Sequence, residues 1–275
     1  MGTFSLLGLG IVLAQGSLFL GAAALPLYLH HLGVATDRIG LEVGASSFAG
    51  MICTVAAGPL INRWGPNRVS QVGLACYLMA AVGFLALPSE AAATACRALQ
   101  GVGVSLVLPS LYTMAPQLVP LSRGTALGVV AALNTASLAI GPPVGLWLYA
   151  TGGATWLFVP TIACALVGVG VGAILPAAPR PDTPIRGFGY DARWTAPIAA
   201  NGLVAAYFGG IVAYLPLVLA HLNGPNAGIF FTADAIGVLL LRVPSGAMVD
   251  RFGARLPEIV GIVLTLAGIG ALFLP

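Results

Sequence analysis

The sequence predicts an all-α membrane protein with nine transmembrane helices, and three observations carry that prediction. Hydrophobic residues make up 59% of the 275 and charged residues only 7%, whereas a soluble domain carries about 25% charge to coat its water-facing surface. Nine runs are long and apolar enough for a bilayer crossing, which takes about 20 residues of helix. They cover residues 4–29, 39–61, 69–88, 91–117, 122–149, 154–176, 195–220, 227–249 and 257–275. Lastly, the arginines between these runs fall almost entirely in alternate loops.

Turn formers bound the runs. Pro88-Ser89-Glu90 separates the third from the fourth, and Asn223-Gly224-Pro225-Asn226 precedes the eighth, as expected where a helix must stop. The first run lacks a basic leader and is too long for a cleaved signal peptide, so it is expected to remain as a helix. Residues 177–193 differ in kind, being polar and rich in Pro and Gly. The expected organisation is an N-terminal six-helix bundle (1–176), a linker (177–193) and three further helices (194–275). Trp64, Trp147, Trp156 and Trp194 all fall near run ends, where an amphipathic ring is best placed.

Sidedness follows from Arg. One set of loops holds Arg63, Arg68, Arg123, Arg180, Arg186, Arg193, Arg251 and Arg255, and the opposite set holds only Arg38. Positive residues stay inside, so the N-terminus and the linker are expected in the cytoplasm of a multi-pass protein of the inner (cytoplasmic) membrane.

Several function classes drop out. The net charge of +3 is scattered, which argues against a nucleic-acid partner. Cys53, Cys76, Cys96 and Cys164 lie singly in apolar runs, without zinc spacing or a disulfide framework, and read as buried small hydrophobes. No metal or cofactor is expected. Gly168-Val-Gly170-Val-Gly172 has no βαβ context and reads as helix packing. No His-Glu-x-x-His, Gly-x-Ser-x-Gly or paired acidic motif occurs in a span, so the chain does not read as an enzyme.

Part of the chain occurs twice. Leu-Pro-Leu-Tyr-Leu-His-His-Leu-Gly at 25–33 recurs at 215–224, Gly-Pro-Leu-Ile-Asn-Arg-Trp-Gly at 58–65 recurs at 246–253, and Gly-Phe-Leu-Ala-Leu-Pro at 83–88 recurs at 270–275. The offsets are 190, 188 and 187 residues, one register with small loop deletions. Parallel halves of this kind are a transporter architecture. The fourth to sixth helices have no second copy, so the second half is expected to be interrupted after three helices. A missing segment or a second chain would complete it.

Four motifs then carry a resemblance. After the eighth helix stand Gly246, Asp250, Arg251, Gly253 and Arg255, and after the second Gly58, Asn62, Arg63, Gly65 and Arg68, with Asn in place of Asp. The fourth helix has Arg97-Ala-Leu-Gln100-Gly101-Val-Gly103. The fifth has Gly128 and then Gly141-Pro142-Pro143-Val144-Gly145, with Ser137 and Leu146 where the pattern has glycines. Together these resemble the major facilitator superfamily, and in the fifth helix its proton-driven drug and metabolite exporters. The resemblance implies a major-facilitator-type bundle that moves a small organic solute in exchange for protons. The first, fourth, seventh and tenth helices would line its cavity. An uptake symporter is the alternative, as is a product without transport activity of its own.

The resemblance also implies roles. Asp250 and its loop would latch one access state against the start of the fifth helix, near Ser122, Arg123 and Gly124. The Asn62–Arg63 loop, lacking the charge, would be a weaker latch. Gly128, Gly141, Pro142 and Gly145 would let helices pack at the interface between halves. Arg97 lies well inside a span, where a cation costs about 2.5–3.5 kcal/mol, and is expected to contact substrate or to govern a carboxylate's protonation. Glu42 and Asp234 are the candidate proton carriers, since burial and an adjacent Arg move a carboxyl pKa in opposite directions. Gln15, Gln100, Tyr112, Asn134 and Asn201 are the other polar candidates for the cavity, each also readable as helix–helix glue. The partners expected are a small solute, protons and membrane lipid.

Overall fold

The structure, a computed structural model, describes residues 2–22, 24–179, 191–196, 198–200, 202–204 and 227–271. Among these the regular elements are helical. They are α1 (Thr3–Ala22), α2 (Leu25–His31), α3 (Thr36–Trp64), α4 (Pro66–Ala86), α5 (Glu90–Leu118), α6 (Arg123–Ile174), α7 (Ala227–Phe252) and α8 (Arg255–Ala271), with a short 3-10 turn at Ala192–Trp194. Asn201 and most of the seventh predicted span lie outside the described residues.

One boundary differs from the sequence expectation, and another falls in the gap the sequence left for it. The first predicted span is two helices, because α1 ends at Ala22 and α2 starts afresh at Leu25, with Pro26 in its first turn. A proline there lacks a donor the helix does not need, which favours restarting over continuing. The fifth and sixth spans follow one another directly as the two limbs of α6, 52 residues in all. At 1.5 Å per residue that is about 78 Å, more than twice a bilayer core of about 30 Å, so α6 must double back. It does so at Gly152 and Gly153, where the backbone leaves the helical region and Gly153 takes φ 65°. The two limbs of α6 flank that break.

Gly65 shows how closely these elements are joined. It ends α3 and caps α4 at φ 84°, a conformation that costs a side-chain-bearing residue, and Pro66 follows at the first helical position. Its repeat counterpart Gly253, between α7 and α8, has φ 76°.

The core lies where α1, α4, α5 and both limbs of α6 meet, around Ile11, Tyr77, Val107, Met114, Val130 and Ala165. A second cluster closes one end. Tyr28 meets Phe158 edge-on at 5.1 Å, Phe158 stacks on Phe84 at 5.2 Å, and the Tyr28 hydroxyl donates to the Phe84 carbonyl. Close contacts rest on small residues: a β-carbon on Gly141 or Gly145 would run into the backbone of Phe19 or Leu20 on α1. The outside is apolar, with Met79, Leu166, Val167 and Ile174 all more than half exposed. All four tryptophans are exposed as well. Of the cysteines only Cys96 is buried; Cys53, Cys76 and Cys164 are half-buried on helix flanks. In a bilayer protein the flank faces lipid, so an apolar residue need not be buried in protein.

Candidate functional site

A cavity of about 350 Å³ opens between α1, α3 and α5. Leu18, Phe19 and Ala22 form its α1 wall, and Ser46, Ser47 and Thr54 its α3 wall. Arg97, Val104 and Ser105 project from α5. Its depth is set by a glycine: a β-carbon on Gly101 would overlap the Ser46 carbonyl, so α3 and α5 touch backbone to backbone here. The Arg97 Nη1 donates to Gln100 Oε1 at 2.8 Å, an i to i+3 pair on one helix face. Gln100 is buried at 4% exposure. The Thr54 and Ser105 hydroxyls donate to their own helix carbonyls, Gly50 and Val102, each at 2.8 Å. They present acceptor lone pairs to the cavity while their donors are already used.

The other predicted polar residues are placed as follows. Gln15 is buried on α1 at 2% exposure, and its Oε1 accepts no hydrogen bond among the described residues; it is not part of the cavity wall. Tyr112 packs on the central core instead of the cavity. Asn134 is half-buried on α6. Glu42 and Asp234 lie in α3 and α7, but their side chains are outside the described set. Sequence reasoning missed Ser46, Ser47, Thr54 and Ser105. The available signal was the small polar stripe Ser46–Gly50–Thr54, one residue per turn of α3.

The second cluster lies at the end of α6 that follows Ser122. Ser122 caps this helix without bonding its free N–H groups itself, and four such donors are unmet at every helix start. Asp250, in the last turn of α7, meets two of them. Its carboxylate accepts from the Gly124 N–H at 2.8 Å and the Thr125 N–H at 2.9 Å. The Thr125 hydroxyl at 3.1 Å and the Ser122 hydroxyl complete the set. This is N-terminal capping by a residue 126 positions away from Gly124, and the helix dipole adds to it. The Ser122 hydroxyl first, then the Gly124 N–H, hold the Asp250 carboxyl below the usual carboxylate range, with the Thr125 donors adding to them. Gly246, one turn earlier on α7, brings the helices together, since a β-carbon there or on Gly124 would overlap the other's backbone carbonyl.

Gly128, Gly141 and Gly145 are buried on the same limb of α6, with Pro142 and Pro143 inside the helix. Each proline removes the donor for a carbonyl one turn back. Arg251 lies over its neighbour Phe252 at 5.3 Å, and Arg255 is exposed. The repeat-related loop is built differently. Asn62 is half-buried with an Nδ2 that finds no acceptor among the described residues, Arg63 is exposed, and Gly58 has open space beside it.

Comparison with known proteins places this architecture. The sequence profile of the Major Facilitator Superfamily matches residues 7–275. An uncharacterized MFS-type transporter of Mycobacterium tuberculosis (strain ATCC 25618 / H37Rv) is 28% identical over 215 residues, covering 77% of this chain and 31% of that protein. The staphylopine export protein of Staphylococcus aureus (strain Mu50 / ATCC 700699) is 26% identical over 259 residues, covering 88% of this chain and 64% of its own. The chain thus spans less than two thirds of the length of either relative. The crystal structure of the human organic anion transporter MFSD10 matches the fold at a TM-score of 0.57 and 14% identity, over 90% of this chain and 71% of that one. The long apolar helices and a profile match over nearly the whole length show that the chain is an integral multi-pass membrane protein and that it belongs to the Major Facilitator Superfamily.

Proposed function

We propose that this chain carries a small organic solute out of the cell in exchange for protons, by alternating access about the cavity between α1, α3 and α5. The observation that supports it best is Arg97 on the wall of that cavity, oriented by Gln100. A guanidinium held there attracts either an anionic group of the solute or a carboxylate whose proton it displaces. Glu42 and Asp234 are the acids proposed to carry the proton, and Asn134 and Asn201 the further polar groups along the path. The export direction is supported by a relative named for staphylopine export and by the Gly141–Gly145 segment packed on α1. The N-terminus and the 177–193 linker are assigned to the cytoplasm of the inner membrane. The Asp250 cap is assigned the role of a latch between the 1–176 and 194–275 units. The departures at Ser137 and Leu146 favour a second reading, an uptake symporter.

Inverted membrane vesicles separate the two. With a proton gradient imposed, an exporter accumulates staphylopine or a dye from a neutral panel inside the vesicles and alkalinises the lumen as it does so. Accumulation driven by the reverse gradient would establish the symporter, and no solute-dependent proton flux with any probe would remove coupled transport by this chain.

A further inference from the structure

A second cavity, away from the transport path, lies between the start of α4 and the end of α6. It is an open groove of about 660 Å³ walled by Trp64, Asn67, Arg68, Gln71, Val72 and Gly172. Its amides are committed to structure. The Asn67 Nδ2 donates to the Pro176 carbonyl at 3.0 Å, its Oδ1 accepts from the Ala178 N–H at 2.8 Å, and the Gln71 Nε2 donates to the Val169 carbonyl at 3.1 Å. These bonds fix the groove's shape. The polar groups left to meet a ligand are the exposed guanidinium of Arg68 and the indole of Trp64, itself 41% exposed. Among the described residues no carboxylate pairs with Arg68; the ion pair present, Arg38–Glu90, lies elsewhere. Arg63 adds a second exposed cation at the same end of α3.

From that polar mouth an apolar track leads away along both helices. On α4 it passes exposed Val72 and Met79, seven residues apart and so on one face. On α6 the wall is formed by Gly172, Ala173 and Leu175. A fixed cation, an interfacial indole and an apolar channel form in one place the complement of an acidic headgroup joined to a hydrocarbon chain.

We propose that this groove binds an anionic phospholipid, its phosphate on Arg68 and Trp64 and one acyl chain between the Val72–Met79 face of α4 and the Gly172–Leu175 wall of α6. Lipid bound there braces the clamp that Asn67 makes on Pro176 and Ala178, at the start of the segment joining the two units. The assignment rests on membrane insertion, and not on the transport mechanism proposed above, so it stands or falls separately.

The test uses the full chain purified in a mild detergent, with thermal unfolding and native mass spectrometry as readouts. Phosphatidylglycerol should stabilise the protein and remain bound, and phosphatidylcholine should do neither. Arg68→Gln should weaken phosphatidylglycerol retention roughly five-fold, the effect expected of one basic residue near an anionic lipid surface. Arg68→Lys should recover part of it, because the charge returns without the planar fork. Arg38→Gln, at the ion pair, should bind like the parent. Equal retention by Arg68→Gln and the parent, or equal stabilisation by both lipids, overturns the proposal. Stabilisation by inorganic phosphate alone as large as that by the lipid would make the groove a free-anion site and overturn the lipid assignment.

Discussion

The Asp250 carboxylate accepts the Gly124 backbone N–H at 2.8 Å, and the next N–H, that of Thr125, at 2.9 Å. One side chain at the end of α7 thereby supplies the cap that α6 does not supply for itself, and the charge sits where the helix dipole favours an anion.

Its titration has a definite sign. These donors favour the ionised form, so the folded pKa lies below the unfolded one. Stability from the cap is therefore fully present above the ordinary carboxylate value of about 4 and is lost as pH falls through the lower, folded value. Amide exchange should show Gly124 and Thr125 protected alike at neutral pH and through the ordinary carboxylate range, with protection lost only under stronger acid. Asp250→Ala should lose it at every pH, and Asp250→Asn should keep part, as a neutral acceptor can. Protection that fell away well above pH 4 would contradict this sign.

The two repeat-related glycines should respond differently to the same change. Gly246→Ala places a methyl on the Gly124 carbonyl and should cost about 1–3 kcal/mol, the range for overpacking. Gly58→Ala meets open space and should fall within about 0.5 kcal/mol of the parent. Thermal unfolding of the two variants side by side is the measurement, and equal destabilisation would contradict the packing described.

Arg97→Lys should leave folding intact and reduce transport roughly ten-fold, the cost of a lost charged hydrogen bond, since a lysine cannot hold both Gln100 and a cavity ligand in a planar fork. Gln100→Leu should reproduce part of the loss by releasing the guanidinium. Normal flux in both variants would leave Arg97 a structural residue.

Asp234→Asn should abolish the dependence of solute flux on pH if Asp234 carries the proton. An unchanged pH profile would shift that role to Glu42, where Glu42→Gln is the next variant to measure.

Much of the molecule could be read in one dimension. Helices from Thr36–Trp64 to Glu90–Leu118 lie within three residues of the apolar runs, because crossing a bilayer demands a minimum apolar length whatever the neighbours do. The i to i+3 spacing of Arg97 and Gln100 is that of residues sharing a helix face. Even so, similar apolar character on both sides hid the division of the first run between Ala22 and Leu25, whereas the gap between the fifth and sixth runs contains the reversal at Gly152–Gly153.

The sequence by itself determined the membrane class, the internal repeat and the residues able to do chemistry, because hydrophobic length, charge sidedness and motif spacing are local properties of the chain. Which of those residues meet was decided only by the tertiary structure. Gln15 and Tyr112 have the composition of cavity residues yet lie outside the cavity, while Ser46 and Thr54, unremarked in the sequence, line it. Arg68 and Trp64 acquire a groove only when α4 packs on α6. Within a bilayer one apolar helix face serves lipid and protein alike, so the contacts of each face depend on small-residue approaches such as Gly101 on Ser46 and Gly145 on Leu20, and these exist only once the helices have packed.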